Sequence, residues 1–337
     1  MFSWLRRKII NFFDWVFSLG RPNSQGRPQS QSPYQNQSGS NSNSLSEPNA
    51  LPSISNTIRI IGDRACGKTT YLAALIRNPN PDLYNNPIEK IVPKSGASER
   101  LENQATGILE EGNIFTPNDI LGADEAALDI PNIGFSITLK DKRSRLLQLE
   151  IFCRDYSGEI FGDINVMEEQ TLKSYIEDCA DPDVQGLMIL LDATKHRQDS
   201  VYEISIRAFI RRLLVSRVDG WKGKIAVTLT KCETLQIYSK RKELKSSKAL
   251  VEKYFPKTLQ SMRNNLTPDI EVEYFSLSAF GMMGPEGVKQ PNVEYVKDIT
   301  DPTLQYARLK NKNVWRPFGL FAPLYWLCTG DRHPNLD

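Results

Sequence analysis

Histidine is nearly absent, with two in 337 residues. That leaves no imidazole cluster for a metal site. The five cysteines (Cys66, Cys153, Cys179, Cys232 and Cys328) form no C-x-x-C pair. A zinc ribbon or a disulfide framework is therefore not expected, and a reducing cytosolic compartment fits. No excess of one charge sign exists: 42 Lys and Arg face 40 Asp and Glu, for a net charge of +2. Such a chain has no global field that would point to nucleic acid as a partner. Apolar residues make up 40% and charged residues 24%, ordinary for a globular protein of one or two domains.

Residues 58–70 read Ile-Arg-Ile-Ile-Gly-Asp-Arg-Ala-Cys-Gly-Lys-Thr-Thr. Ile58 to Ile61 predicts a short buried strand, and Thr69 to Arg77 a helix with Leu72, Leu75 and Ile76 on one face. Between them stands G-x-x-x-x-G-K-[ST], in the strand-to-helix setting that makes this pattern a phosphate site. Gly62 and Gly67 let the chain wrap with its N–H groups inward, and the helix N-terminus adds partial positive charge. Gly62, Asp63, Arg64, Ala65, Cys66, Gly67, Lys68, Thr69 and Thr70 are the expected phosphate-contacting set. Lys68 would reach the β- and γ-phosphates, and the Thr69 hydroxyl would ligate Mg²⁺. Cys66 reads as a small packing residue.

Upstream, residues 1–20 wind into an amphipathic helix. Phe2, Leu5, Ile9, Phe12, Val16 and Leu19 form its apolar stripe, opposite Arg7, Asn11, Asp14 and Ser18. Charge interrupts it too often for a comfortable membrane span, and no small-residue cleavage site follows. A membrane-surface anchor, a helix that docks on a partner or on its own domain, and a cleaved or spanning segment all remain open. Residues 21–53 are Ser, Asn, Gln, Pro and Gly with almost no large apolar side chains, which predicts a disordered linker. As a coil it would span roughly 30 Å.

From Ile54 onward strand and helix patterns alternate, which predicts an α/β fold: one three-layer domain with a mainly parallel sheet and long insertions. Six strands are expected, at Ile58–Ile61, Gly134–Leu139, Leu146–Cys153, Gly186–Leu191, Lys224–Thr230 and Ile270–Leu277. Helices are expected at Thr69–Arg77, Ser98–Glu111, Glu168–Cys179, Ser200–Arg217 and Glu243–Asn264, with a short apolar helix or hairpin in Pro317–Cys328. The domain is placed at 54–330, with a tail at 331–337.

The third strand ends in Asp155-Tyr156-Ser157-Gly158-Glu159. D-x-x-G alone means little, since about one is expected by chance in a chain this long. Its place at a strand end downstream of the phosphate loop gives it weight. Asp155 would hold the Mg²⁺ hydration shell, and Gly158 would offer an N–H to a γ-phosphate. Thr230-Lys231-Cys232-Glu233 and Ser278-Ala279 close the next strands, on the edge where open α/β sheets bind ligands.

Together these motifs resemble a small GTPase of the translation-factor-related class, which implies that the three-layer α/β domain is a Ras-like phosphate-loop NTPase. Gly62 to Thr69 is similar to the Rho-type phosphate loop, Asp155 to Gly158 matches D-x-x-G, Thr230 to Glu233 resembles [NT]-K-x-D, and Ser278-Ala279 resembles the S-A motif. The resemblance implies GTP or GDP as ligand and Mg²⁺ as cofactor. It also implies that Lys231 packs over the base, that Glu233 accepts the base N1 and N2 hydrogens, and that the Ala279 N–H meets O6 while Ser278 braces that loop. It calls for a switch threonine on Mg²⁺, for which Thr116 is the candidate and Thr106 and Thr138 are neighbours. Three departures stand out. Arg64 occupies a position where Ras-type loops carry glycine, and either crowds the attacking water or stabilises charge in cis. Glu159 replaces the water-orienting glutamine, which implies slow hydrolysis. Glu233 is one methylene longer than the family's aspartate. The long insertion from Asn78 to Pro131 resembles the bacterial double-GTPases that occur beside effector proteins. Lys68, Thr116, Gly158, Glu159 and Arg64 are then the candidate catalytic set. The expected function is a slow GTP-hydrolysing switch acting on an unidentified effector, in the cytoplasm or at the inner membrane face through residues 1–20, without nucleic acid. A nucleotide-binding scaffold with little turnover, and an ATP-using phosphate-loop NTPase, are the alternatives.

Overall fold

The computed structural model describes residues 52–77, 86–113, 132–155, 164, 169–285, 288–297 and 305–336. All belong to the second of two compact units, Asn49–Asp337. The expected N-terminal helix, most of the linker, and Thr116, Gly158 and Glu159 lie outside the described residues.

The elements in chain order are β1 (Ser53–Gly62), α1 (Lys68–Arg77), β2 (Ile88–Pro93) and α2 (Gly96–Thr106), the last closed by a π-turn at Gly107–Glu111. Then come β3 (Asn132–Lys140), β4 (Leu146–Asp155), α3 (Glu169–Cys179) and β5 (Val184–Asp192). A 3₁₀ turn (Ala193–Gln198) leads to α4 (Asp199–Val215), followed by β6 (Lys224–Thr230), α5 (Leu235–Leu244), α6 (Ser247–Tyr254), α7 (Pro256–Asn265) and β7 (Val272–Ser276). A small two-stranded pair, β8 (Met282–Met283) and β9 (Gln290–Pro291), precedes the hairpin strands β10 (Val293–Lys297) and β11 (Gln305–Leu309), and α8 (Ala322–Thr329) comes last.

The main sheet has seven strands in the order β2-β3-β4-β1-β5-β6-β7. From β4 to β7 all neighbours are parallel, whereas β3 runs antiparallel to both β2 and β4. This α/β sheet is the expected class with one strand more than the six expected. The addition, β2, sits at the edge, half-exposed, so Ile-Glu-Lys-Ile-Val-Pro shows neither a clean alternation nor a buried run.

Alternation along the strands feeds two cores. Ile58, Ile60, Met188, Leu190 and Ala226 pack with residues of α1, α2 and α8. Ile61, Leu187, Ile189, Leu191, Val227 and Leu229 pack with residues of α3, α4, α6 and α7. The helix expected over Glu243–Asn264 is instead the end of α5 followed by two separate helices. Lys245 turns left-handed (φ 51°), the Ser246 hydroxyl caps α6, and Pro256 opens α7. The apolar C-terminal segment is a buried helix, α8, and the packed chain continues to Leu336. Tyr71 in α1 donates its hydroxyl to Leu320 O at 2.9 Å just before α8. No helix among the described residues is long and apolar enough to cross a membrane.

One polar cluster links the sheet to α3. Asp178 accepts from Arg59 Nε at 2.8 Å and Nη2 at 3.0 Å, and from Arg154 Nη1 at 2.6 Å. Arg59 on β1 is buried, so this forked pair supplies the partner its guanidinium lost with its water.

Candidate functional site

The loop from Gly62 to Gly67 runs from β1 into α1, and its shape follows from what holds its carbonyls. Lys68 Nζ donates to Gly62 O at 3.1 Å and to Asp63 O at 3.5 Å. Lys195 Nζ, from the 3₁₀ turn after β5, takes Arg64 O at 2.9 Å. Lys231 Nζ, after β6, takes Ala65 O at 2.7 Å. The Thr230 hydroxyl takes Cys66 O at 2.7 Å, and Tyr71 N–H takes Gly67 O at 2.8 Å. In a planar trans peptide the C=O and the following N–H point opposite ways. The carbonyls of Arg64, Cys66 and Gly67 are each held, so the N–H groups of Ala65, Gly67 and Lys68 each point away from the carbonyl before them. Amide N–H groups in a turn at a helix N-terminus are the kind of donor that binds anions. The Cys66 N–H is taken up within the loop by Asp63 O at 3.2 Å.

Two residues meet the backbone demands of the turn. Gly67 is at φ +95°, where a side chain is strained. At Gly62 a Cβ would lie 2.8 Å from both Cys66 Sγ and Leu190 O, so only glycine lets the loop close on β5. Cys66 is fully buried, the packing role expected of it.

The second half of the site comes from the tips of β6 and β7. Cys232 N–H bonds Leu277 O at 3.1 Å, which places Lys231 to Glu233 beside Ser278 and Ala279. Lys231 is left-handed (φ 56°) and bridges Ala65 O and Asp192 Oδ2, the latter at 2.6 Å. The lysine of the expected base motif thus touches the phosphate loop directly. Glu233 is 2% exposed, and its Oε2 has no hydrogen-bond partner among the described residues. Burial raises its carboxyl pKa, against which the Ser278 hydroxyl and its own amide pull down. Ser278 Oγ also accepts from Gly281 N–H at 2.7 Å. Its backbone pairs with Phe318 in both directions, Ser278 N to Phe318 O at 3.0 Å and Phe318 N to Ser278 O at 3.2 Å. With Ser278 O so held, the Ala279 N–H faces the other way, and Trp315 Nε1 fixes Ala279 O at 2.8 Å.

Thr69 and Thr70 lie in the first turn of α1. Asp155 ends β4, in register with Ile60, two residues before Gly62. Of the two neighbours considered for the switch threonine, Thr106 ends α2 and Thr138 pairs with Lys90 inside the sheet.

Sequence reasoning missed four contributors. Asp192 is fully buried, caps the 3₁₀ turn through Thr194 N–H at 2.9 Å, and pairs with Lys231. Its signal was present, an acid at the end of an apolar strand. Lys195 and Trp315 carry no local signal, because only the fold brings them near. Tyr295 on β10 keeps half its surface exposed, yet its hydroxyl is pushed up to about 12, first by burial and then by the Glu233 and Asp192 carboxylates. The hairpin is tied to the Ser278 loop by Asn292 N–H on Gly281 O at 3.0 Å.

No family model matches the chain, and neither does any curated protein. Among solved structures, the chain is similar to the Arl6 BBS3 small GTPase from Trypanosoma brucei with a bound nucleotide analogue, GppNp. The TM-score is 0.32 with 12% identity, over 67% of this chain and 87% of that one. The class assignment accordingly rests on the strand order and the site: an α/β protein with a mostly parallel sheet and a phosphate-loop-like turn at its first strand.

Proposed function

We infer that this protein is a three-layer GTP-binding switch of the small-GTPase kind, hydrolysing GTP slowly to GDP and phosphate. One observation carries the reading. Lys231 reaches from the Thr230–Glu233 tip to Ala65 O in the phosphate loop, beside a buried glutamate oxygen without a partner among the described residues. A chain that leaves a buried carboxylate oxygen unsatisfied bears a cost that a ligand with two adjacent N–H groups would relieve. The N1–H and N2–H₂ of guanine are such a pair.

In this reading the amides of Ala65, Gly67 and Lys68 cradle the phosphates. Lys68 exchanges its contact with Gly62 O for phosphate oxygens. Lys231 lines a face of the base, Ala279 N–H meets O6, and Ser278 holds Glu233 ready. Thr69 and Asp155 would hold Mg²⁺, with Thr116 as third candidate. When bound there, such an ion would supply charge neutralisation for the polyphosphate. Gly158 senses the γ-phosphate. Glu159, a carboxylate near a polyphosphate, favours slow turnover, and Arg64 tunes it. The GTPase domain, expected over 54–330, extends with the packed chain from Ser53 to Leu336, and residues 1–20, beyond the linker, bring it to the inner face of a membrane near its effector. The narrower kinship is with the bacterial double-GTPases.

The test is direct. Protein purified without added nucleotide is denatured and its released small molecules weighed, and then [γ-³²P]GTP turnover is followed. GDP or GTP together with slow phosphate release is expected. Adenine nucleotide, or none with Lys68→Ala behaving as wild type, overturns it.

A further inference from the structure

Asp63 is the one acidic side chain between Gly62 and Thr70. A carboxylate inside a cradle for polyphosphate opposes its ligand. Both of its oxygens are occupied: Oδ1 accepts the Arg64 N–H at 2.7 Å, and Oδ2 accepts Lys195 Nζ at 2.7 Å. The same ammonium holds Arg64 O at 2.9 Å. One lysine therefore does two things. It cancels the only negative charge of the loop, and it pins the peptide that carries the Ala65 N–H. The side chains of Asp63 and Lys195 are 24% and 29% exposed, so water screens the pair only in part. Lys195 can bend back to the loop because it has left the helical conformation, at φ −94°, ψ 17°, inside the 3₁₀ turn.

We propose that Lys195 is a positioning and specificity-determining residue of the phosphate site, whose ion pair with Asp63 sets the preference for the triphosphate over the diphosphate. The proposal rests on the nucleotide reading above. A triphosphate carries more charge than a diphosphate, so an uncompensated Asp63 weakens it more. Lys195→Met should weaken binding of a non-hydrolysable GTP analogue about tenfold and GDP about threefold, with the loss shrinking at high salt. Asp63→Asn leaves the cation in excess and should tighten the analogue. The double variant should return to within about threefold of wild type, because the local charge is again balanced.

Competition titrations of full-length protein with fluorescent GDP and with the GTP analogue, at low and high salt, test this. Far-ultraviolet circular dichroism of each variant confirms folding, and Lys195→Arg, which keeps the charge, should bind nearly as wild type. A merely structural lysine would weaken both nucleotides equally and would not be rescued by Asp63→Asn. Either result, or no effect of Lys195→Met, overturns the proposal while nucleotide binding by the wild type stands. If the wild type binds no guanine nucleotide, the functional reading and this proposal fall together.

Discussion

Replacing Glu233 with glutamine changes one charge and almost no shape, and it separates what the site needs empty from what it needs filled. Glu233 is 2% exposed, with an Oε2 that is unpartnered among the described residues. Leaving a buried acceptor unmade costs about 1–3 kcal/mol, more when it is charged. Glu233→Gln should therefore stabilise the nucleotide-free protein by about 1 kcal/mol at neutral pH. The sign of the pH dependence follows from the raised pKa. A carboxyl whose folded pKa lies above its ordinary 4.5 favours folding fully below that value, and this contribution is lost as pH rises through the folded pKa. The stability gap between variant and wild type should thus vanish at low pH and widen as pH rises above about 4.5. Binding should move the other way. The variant offers guanine one acceptor and one donor where two acceptors are needed. One charged hydrogen bond at about 1.5–3 kcal/mol is lost and the other is weakened to a neutral one by about 1 kcal/mol, so GDP affinity should fall about 10²–10³-fold. Urea unfolding across pH, paired with GDP titration, reads both. A stability gap that stays flat with pH, or unchanged GDP affinity, refutes the reasoning.

Other outcomes follow from single contacts. Asp178→Ala leaves Arg59 buried with its forked partner gone, and chemical denaturation should show a loss of about 3 kcal/mol. At Gly281, φ is +71° and a Cβ would sit 1.9 Å from Arg316 O, so Gly281→Ala must move the Ser278–Ala279 loop. It should lower the melting temperature by several degrees and cut guanine affinity more than Glu233→Gln does. Deleting residues 1–20 should release the protein from anionic vesicles in a pelleting assay with nucleotide binding intact.

The phosphate loop was legible because its chemistry is local: the strand, the two glycines, Lys68 and the helix are contiguous. Five of the seven strands were placed within a few residues because their apolar runs are buried. The N-terminal end of β1 was not. Its expected core, Ile58–Ile61, is only the doubly buried part of a strand that begins at Ser53, where pairing with β4 rather than burial holds the chain extended. The breaks around α6 were legible in principle, at Ser246 and Pro256, but the apolar period carried across them. Asp192, Lys195 and Tyr295 needed the fold. Lys195 meets Asp63 across 132 positions, a distance at which no local pattern speaks. The hairpin of β10 and β11 follows the Ser278 loop and packs on the π-turn after α2, where Gly112 at φ +78° lies against β11. Its strands are half-exposed, so their alternation was weak.

The central claim is one site that joins a polyphosphate cradle to a guanine reader. Competition for fluorescent GDP on the full-length protein measures both at once. Unlabelled GTP should displace it at least 100-fold more effectively than ATP, a margin that two Glu233 hydrogen bonds supply, and Lys68→Ala should abolish the signal. Displacement by ATP as efficient as by GTP would contradict the account, as would full binding by Lys68→Ala.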